Sequence, residues 1–264
     1  MPELPEVEAV CRKLRRDALG ALIVRTRMLR KRDRRLEART RGRRIVDVRR
    51  RAKNVLIHLD GGWAVRAHLR MTGNLYVVED VRLRRETVRA YFELEGGAGL
   101  VFDDPRTLGV LELFREEELT AILDSLGPEP LDGEFTVERF RETAKASRRP
   151  AKIFLLDQTK VAGLGNIYAA EALHRARIHP GRAMNRIGEG RLARLHLAIV
   201  DVLENAVESA CYAYTGPGSY NSEENFPVAV YGRDGQPCPV CDRRVRRIVQ
   251  GGRSTYYCPG CQRY

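Results

Sequence analysis

Residues 157–168 read DQTKVAGLGNIY, and this stretch predicts the architecture of the C-terminal half of the chain. Gly163 and Gly165 break a short helical run over 150–157, and a second helix is predicted to begin near Asn166. Glycines let backbone amides approach a phosphate, and a helix N-terminus favours anions. Such glycines taken alone are more often typical of a plain packing corner between two helices, so both interpretations stay open on this stretch.

The elements around this stretch fall into two patterns. Downstream of the breaker-rich run 127–133, apolar residues recur at helical spacing, and we predict helices over 136–147, 150–157, 166–176 and 189–212. Residues 213–227 are rich in Gly, Ser, Asn and Pro, which predicts a mobile loop. Upstream, a helix is predicted over 5–19, followed by strands over 21–29, 44–50, 53–59, 63–70, 74–78, 87–95, 99–103 and 109–114.

The cysteines predict a metal site at the C-terminal end. Four of the six are paired as Cys238-x-x-Cys241 and Cys258-x-x-Cys261. Four thiolates at this spacing reach one tetrahedral zinc ion and leave no open position for catalysis. We therefore predict one structural Zn²⁺, with a β-hairpin over 243–257 between the two cysteine pairs.

Charge and hydropathy indicate the class of partner and compartment. The formal net charge is +12, and residues 1–60 hold 19 Lys+Arg against 8 Asp+Glu. Residues 227–264 hold 7 against 2, so two basic ends flank a near-neutral centre. This distribution favours a polyanion such as nucleic acid, although a generally Arg-rich composition would add to it. No apolar run is long enough to span a membrane and no secretory signal opens the chain, so we expect an intracellular, cytoplasmic protein.

The N-terminus carries the second candidate chemistry. Removal of Met1 would leave the ring nitrogen of Pro2 as a free secondary amine, and chain-end amines titrate at about 7.7–8. Such an amine can attack an aldehydic sugar carbon and form an iminium, and Glu3 could move the proton that opens the sugar ring. Many proteins begin Met-Pro with no catalytic role, so this dipeptide needs the rest of the chain to support it.

Two predicted turns and one cation run complete the candidates. Met71-Thr72-Gly73 presents an apolar side chain that could wedge into a base stack or simply be a partly buried turn residue. The turn over 104–109, DPRTLG, offers Arg106 and Leu108. Lys53 ends the run RRRAK over 49–53, where it could equally be one more solvated cation.

Together these features resemble the bifunctional DNA glycosylase family of formamidopyrimidine-DNA glycosylase and endonuclease VIII. The opening PELPEVE over 2–8 is similar to the formamidopyrimidine branch, and the resemblance runs over the whole chain. It implies an α+β fold: an N-terminal helix with a β-sandwich, a helical domain with a helix–two-turns–helix motif, and a C-terminal β-hairpin zinc finger. We expect domains at 1–127 (catalytic) and 135–227 (helical, DNA-binding), joined by a linker at 128–134, and a zinc module at 228–264. Further matches are HL-x-MTG over 68–73, DPR over 104–106, GLGNIY over 163–168, VYGR over 230–233 and R-x-T-x-x-C over 253–258.

The resemblance also implies roles for individual positions. Pro2 would attack the deoxyribose C1′, Glu3 would act as acid and base at the sugar, and Lys53 would contact phosphate and assist elimination. Met71 would fill the gap left by the everted base, with Arg106 facing the orphaned partner base and Leu108 as a wedge. Further DNA contacts are implied at Arg85, Arg148, Lys152, Asn166, Tyr231 and Arg253, the last also assisting the second elimination.

The function implied is excision of oxidised bases from double-stranded DNA by a monomer that also cleaves abasic sites. The sequence departs from the family pattern at Thr107-Leu108, where Arg-Phe is usual, and in the loop 213–227. We therefore expect 8-oxoguanine to be a poorer substrate than ring-opened purines. Three alternatives stay open: a member that prefers oxidised pyrimidines or abasic sites, a noncatalytic binder of damaged DNA, and an RNA-binding zinc-ribbon protein.

Overall fold

A computed structural model describes residues 2–30, 33–214 and 226–264. The chain divides into two compact units by its internal contacts. The first holds the residues up to 125 together with the described residues 210–214, and the second holds residues 126–209 and 226–264. Across these described ranges, no helix combines the length and apolarity needed to cross a membrane.

The first unit is a helix-capped antiparallel β structure. Helix α1 (Leu4–Ala18) opens it, and two shorter helices, α2 (Arg34–Thr40) and α3 (Glu116–Leu123), lie between and after the strands. The eight strands are β1 (Leu22–Met28), β2 (Arg43–Arg51), β3 (Asn54–Leu59), β4 (Trp63–His68), β5 (Asn74–Val78), β6 (Val88–Leu94), β7 (Gly99–Asp103) and β8 (Val110–Arg115).

The strand order is β5-β7-β6-β1-β2-β3-β4-β8. Strands β1 and β2 pair only at Leu22↔Arg44 and Ile23↔Arg43, so this short seam joins two four-stranded halves. The main apolar core contains residues from both halves and from α1, as expected for a β-sandwich closed by a helix. Its members include Val7, Val10, Leu14, Ile23, Ile45, Ile57, Val65, Leu75, Phe92 and Phe102.

The second unit is helical and ends in a β-hairpin. Its helices are α4 (Val137–Lys145), α5 (Ala151–Leu155), α6 (Asn166–Arg175) and α7 (Glu189–Ala213), the last of which ends within the residues of the first unit. Strands β9 (Arg246–Gln250) and β10 (Arg253–Tyr257) pair with Arg253 opposite Gln250. Stacked and edge-on rings of Phe135, Phe140, Phe154 and His196 help to form the helical core.

The hairpin region is tied to α6 through buried groups. Ala170 of α6 packs in one apolar cluster with Val230, Val245, Cys238 and Cys258. The side chain of buried Gln262 donates to the carbonyl oxygen of Ile178 over 2.9 Å. The cysteine-bearing segment is therefore packed on the helices of its own unit.

The predicted fold class and the predicted helices and strands are confirmed, with end points shifted by a few residues. Two short helices were not predicted, α2 and α3, and each buries only one or two side chains. The domain limits stay a prediction. Of the loop predicted over 213–227, residues 215–225 lie outside the described residues.

Candidate active site and metal centre

Pro2 and Glu3 lie at the start of α1, and both are buried. Glu3 is the N-cap residue, and its backbone N–H donates to the carboxylate of Glu6 over 2.7 Å. Pro5 in the first turn suits a helix start, because its fixed φ is helical and its missing N–H has no helical partner there. The local sequence thus fixes the backbone that carries the candidate nucleophile.

Contacts between α1 and β2 give the helix its direction on the sheet. Arg15 Nε donates to the carbonyl oxygen of Val48 over 2.8 Å, and Cys11 Sγ lies 3.4 Å from the carbonyl oxygen of Arg49. One turn earlier along α1, the Glu8 carboxylate pairs with Arg50 Nε at 3.1 Å. The helix therefore runs antiparallel to β2.

The same direction brings the start of α1 toward the β2–β3 turn. A helix advances about 1.5 Å per residue and a strand about 3.3 Å. From Glu8 back to Glu3 the helix covers about 7 Å, which matches roughly two residues of strand beyond Arg50. The N-terminus of α1 is therefore directed toward Ala52 and Lys53.

Lys53 occupies the tight turn between β2 and β3 and is half-buried. His68 lies near it, because Asn54, the next residue, pairs with His68 across β3 and β4, and the Lys53 charge acts on the His68 ring. Burial lowers the pKa of His68 to about 4, with smaller contributions from the charges of Arg70, Lys53 and Arg66. His68 is therefore neutral near pH 7, and its Nδ1 accepts the backbone N–H of Arg70 over 3.1 Å.

The turn between β4 and β5 presents Met71 to solvent, with 43% of its surface exposed. The turn is closed by a hydrogen bond from Gly73 N to the carbonyl oxygen of Leu69 over 2.9 Å. Arg70 adopts a φ of 55°, a left-handed conformation that is uncommon outside glycine. Met71 is thus an exposed apolar tip on a constrained turn.

The turn between β7 and β8 presents Arg106 and Leu108, both exposed. It is supported from β6 by Arg89, whose Nε donates to the carbonyl oxygen of Asp104 over 2.7 Å. Arg85 precedes β6, and its guanidinium lies 3.6 Å from the buried carboxylate of Asp103 while 55% of the side chain is exposed.

In the second unit, Asn166 and Arg253 are neighbours. Asn166 is the first residue of α6, and its side-chain amide donates to the carbonyl oxygen of Ser254 over 3.0 Å. Arg253, the residue before Ser254, begins β10 and is exposed. A helix N-terminus in contact with the residue next to an exposed arginine is an arrangement suited to a phosphate.

Lys152 differs from the prediction for it. Its side chain has no exposed surface, and its Nζ donates to the carbonyl oxygen of Asn166 over 2.9 Å. A direct grip on a phosphate does not fit this position, because the ammonium is enclosed by protein. Lys152 instead supports the backbone of Asn166 at the start of α6.

Two further residues predicted to contact DNA, Arg148 and Tyr231, lie elsewhere in the sequence of this unit. Arg148 is exposed in the connection between α4 and α5. Tyr231 is half-buried, with its ring 5.3 Å from that of Tyr256 in an edge-on arrangement.

The four paired cysteines form the metal centre. The four Sγ atoms lie within 4.8 Å of one another, and Cys241–Cys258 and Cys238–Cys261 are separated by 3.3 and 3.9 Å. A tetrahedral ion with Zn–S bonds of about 2.3 Å requires about 3.8 Å between sulfurs, so the donor set fits zinc. The pKa of Cys241 is lowered to about 7, chiefly because the backbone N–H of Arg243 donates to its sulfur.

Three residues near these sites were not predicted as site residues from the sequence. The first is His68, described above. The second is His174, whose Nε2 lies 3.4 Å from Cys238 Sγ. The third is Glu171, whose carboxylate accepts from the backbone N–H groups of Ala229, Val230 and Tyr231 over 2.7–3.0 Å. A charged residue on the buried face of an otherwise apolar helix was the available signal for Glu171.

Three family models match this chain. The formamidopyrimidine-DNA glycosylase N-terminal domain model matches residues 1–111, and the formamidopyrimidine-DNA glycosylase H2TH domain model matches residues 126–215. The zinc finger model found in FPG and IleRS matches residues 235–263. The chain belongs to the formamidopyrimidine-DNA glycosylase family. It is therefore a DNA glycosylase by family, an enzyme of DNA repair, and its four cysteines hold one structural zinc ion.

Individual relatives of this family match over nearly their full length. Formamidopyrimidine-DNA glycosylase of Thermus thermophilus is 42% identical over 273 residues, which cover 99% of this chain and 98% of the relative. The relative from Chloroflexus aurantiacus is 39% identical over 271 residues, with the same coverage.

Solved structures of the glycosylase family match equally far. The crystal structure of the Thermus thermophilus MutM (Fpg) protein has a TM-score of 0.84 at 42% identity, covering 99% of this chain and 98% of that one. Lactococcus lactis formamidopyrimidine-DNA glycosylase, non-covalently bound to DNA with an AP site, has a TM-score of 0.88 at 31% identity, with both chains fully covered. The same Lactococcus protein in a complex with Fapy-dG-containing DNA has a TM-score of 0.89.

Proposed function

We propose that this protein is a bifunctional glycosylase and abasic-site lyase that excises oxidised bases, formamidopyrimidines among them, from double-stranded DNA and then nicks the strand. The observation that carries the proposal is the burial of Pro2 and Glu3 at the start of a helix directed toward Lys53. The named relatives and the complexes of the Lactococcus protein with damaged DNA support the substrate class.

The helix position favours the chemistry of an amine nucleophile. The N-terminal end of a helix carries partial positive charge, and burial disfavours an ammonium ion. Both effects favour the neutral ring nitrogen of Pro2, whose lone pair attacks the sugar C1′. The bond from C1′ to the base breaks, and the departing base takes up the proton that the Pro2 nitrogen loses.

Ring opening then gives an iminium between Pro2 and C1′, with Glu3 supplying the proton to the ring oxygen. Loss of a proton from C2′ breaks the 3′ phosphate bond, and a second elimination breaks the 5′ phosphate bond. Lys53 stabilises the negative charge of a phosphate beside Pro2 and Glu3. Arg253 and Asn166 are proposed to hold the DNA backbone through phosphates, and Arg85 and Arg148 to add contacts.

The target base must leave the duplex for this chemistry, which costs a few kcal/mol. The exposed tip of Met71 is proposed to fill the space it vacates, with Arg106 facing the orphaned base and Leu108 wedging the adjacent step. Tyr231, held through Glu171, is proposed to contact the DNA backbone. The protein is proposed to act as a monomer.

Borohydride trapping tests the proposal. An abasic-site duplex, the protein and sodium borohydride should give a covalent adduct, because the iminium is reducible. Pro2→Gly should trap severely less, and an N-terminal extension should abolish trapping. Mass analysis of the untagged protein should find Pro2 at its N-terminus. Equal trapping by the extended protein would eliminate Pro2 as the nucleophile, and no trapping by the untagged protein would favour a noncatalytic binder.

A further inference from the structure

The turn that carries Met71 and the turn that carries Arg106 are joined by a single carboxylate. Asp104 has no exposed surface. One of its oxygens, Oδ1, accepts the hydroxyl hydrogen of Thr72 over 2.6 Å, and Thr72 directly follows Met71. The other oxygen, Oδ2, accepts the backbone N–H of Gly109 over 2.6 Å, at the far end of the Arg106 turn.

The Arg106 turn is built around the same residue. The backbone N–H of Arg106 points at Oδ1 of Asp104 over 3.3 Å, and that of Thr107 donates to the Asp104 carbonyl oxygen over 3.2 Å. Thr107 adopts a φ of 57°, which costs energy for a β-branched residue and needs support from its surroundings. Rotation of the Asp104 carboxylate would therefore disturb both ends of this turn.

Close packing surrounds one end of each turn. A Cβ added at Gly109 would lie 2.6 Å from the Phe102 ring and 3.1 Å from Asp104 Oδ2. A Cβ added at Gly73 would lie 2.6 Å from the carbonyl oxygen of Leu69. The backbone thus approaches its neighbours closely at one end of each turn.

The Met71 turn is also anchored where it enters β5. The hydroxyl of buried Tyr214 donates to the side-chain oxygen of Asn74 over 2.6 Å and lies 2.9 Å from the carbonyl oxygen of Leu75. The turn is therefore held at β5 by Tyr214 and at its tip by Asp104, which directly follows β7.

We propose that Asp104 and Thr72 are positioning residues that make Met71 and Arg106 enter the DNA as one unit. This inference rests on the proposed function, because it assigns Met71 to the vacated space and Arg106 to the opposite base. Hydrogen bonds to a carboxylate are about twice as strong as neutral ones, and residues that share such a network show non-additive energies. Filling the space and reading the opposite base are then energetically coupled across the Thr72–Asp104 bond.

A double-mutant cycle tests the coupling. Met71→Ala, Arg106→Ala and the double variant are made in the wild-type chain and in the Thr72→Val chain. Single-turnover cleavage and equilibrium binding are measured on abasic-site duplexes with cytosine or adenine opposite the site. In the wild-type background the cost of the double variant should differ from the product of the single costs by about threefold or more. In the Thr72→Val background the costs should multiply.

Thr72→Ser is the matched control, because it keeps the hydroxyl and should restore the coupling. Thr72→Ala removes the hydroxyl without an added methyl group and should behave as Thr72→Val, which covers the case of a poorly folded valine variant. Coupling that persists in both hydroxyl-free variants would overturn the inference. A wild-type protein that binds the duplex without cleaving it would instead refute the proposed function. The same double-mutant cycle, measured by equilibrium binding alone, would still test the inference.

Discussion

Lys152 Nζ donates to the carbonyl oxygen of Asn166 over 2.9 Å, and no part of Lys152 is exposed. The lysine therefore supports the start of α6 from below, and we expect Lys152→Met to act on stability rather than on phosphate binding. The free energy of unfolding should fall by about 1–3 kcal/mol, because the half-buried carbonyl of Asn166 loses a donor. Urea denaturation measures this. The slope of log affinity against log salt should match that of the wild type. A slope reduced by about one would show that Lys152 contacts a phosphate directly.

Arg253→Ala should weaken DNA binding and leave stability unchanged, the reverse of Lys152→Met. Arg253 is exposed and directly precedes Ser254, whose carbonyl oxygen accepts from Asn166, and we expect its guanidinium to displace counterions from one phosphate. Affinity for an abasic-site duplex should fall and the salt slope should flatten by about one, with unfolding unchanged. Arg263→Ala removes the same charge from another exposed position of this module and is the control. Equal slopes for the two variants would show that Arg253 acts only through net charge.

The zinc site offers a test of His174. Burial lowers the pKa of His174, with further lowering by Arg177 and Arg233, so the ring is neutral and can donate its Nε2–H to Cys238 Sγ. Mutation of a group that donates a hydrogen bond to a metal ligand commonly lowers metal affinity by about 10–100-fold. We expect His174→Phe to release zinc to a chelating dye at least several-fold faster than wild type. His196→Phe, which changes a histidine of the helical core, should release zinc at the wild-type rate.

Stability should depend on pH through His68. Its pKa is lowered to about 4 by burial and nearby cations, whereas a histidine in the unfolded chain titrates near 6.5. The unfolded state therefore binds the extra proton first as pH falls. The stabilising contribution is complete above about pH 6.5 and is lost progressively toward pH 4. Denaturation of His68→Asn, whose amide oxygen can accept the Arg70 N–H, should show a smaller loss between pH 7 and 5. An unchanged loss would assign the pH dependence to other groups.

The order of substrates should follow the ease of eversion. 8-Oxoguanine differs little from guanine in shape and stacks well, whereas ring-opened or missing bases are already poorly stacked. Leu108, the proposed wedge, is aliphatic where an aromatic residue is usual in the family, so we expect abasic sites and formamidopyrimidines to be processed faster than 8-oxoguanine. Single-turnover rates on matched duplexes measure this, with an oxidised pyrimidine included. Equal rates for 8-oxoguanine opposite cytosine and the abasic site would contradict the argument.

The fold was largely predictable because its signals are local. Val7, Val10 and Leu14 recur at helical spacing and all three are buried on one face of α1. The cysteine pairs likewise carry their geometry in their spacing, and their sulfurs lie together. Helix α2 was missed because it has only seven residues and buries Leu36 and Thr40 alone, so no periodicity develops. Its one local signal is Asp33, whose side chain accepts the N–H of Leu36.

The site was less predictable because burial and long-range contacts decide it. The family resemblance implied a phosphate contact at Lys152, yet the packing around Lys152 encloses it. The bond between Thr72 and Asp104 joins residues 32 positions apart, and no local pattern encodes it. The Met71 turn and the Arg106 turn were each predicted from the sequence, but which turns lie side by side depends on the register of β4, β5, β7 and β8.

The three hydrogen bonds that the Glu171 carboxylate accepts from residues 229–231 have a consequence for substitution. Each bond comes from a backbone N–H group, so this anchor does not depend on which side chains stand at Ala229, Val230 and Tyr231. Replacing one of those residues by any residue other than proline keeps the donor, whereas loss of the Glu171 carboxylate leaves three N–H groups without this acceptor at once. The main-chain course of this segment is therefore most sensitive to one position on α6, 58 residues before Ala229 in the chain.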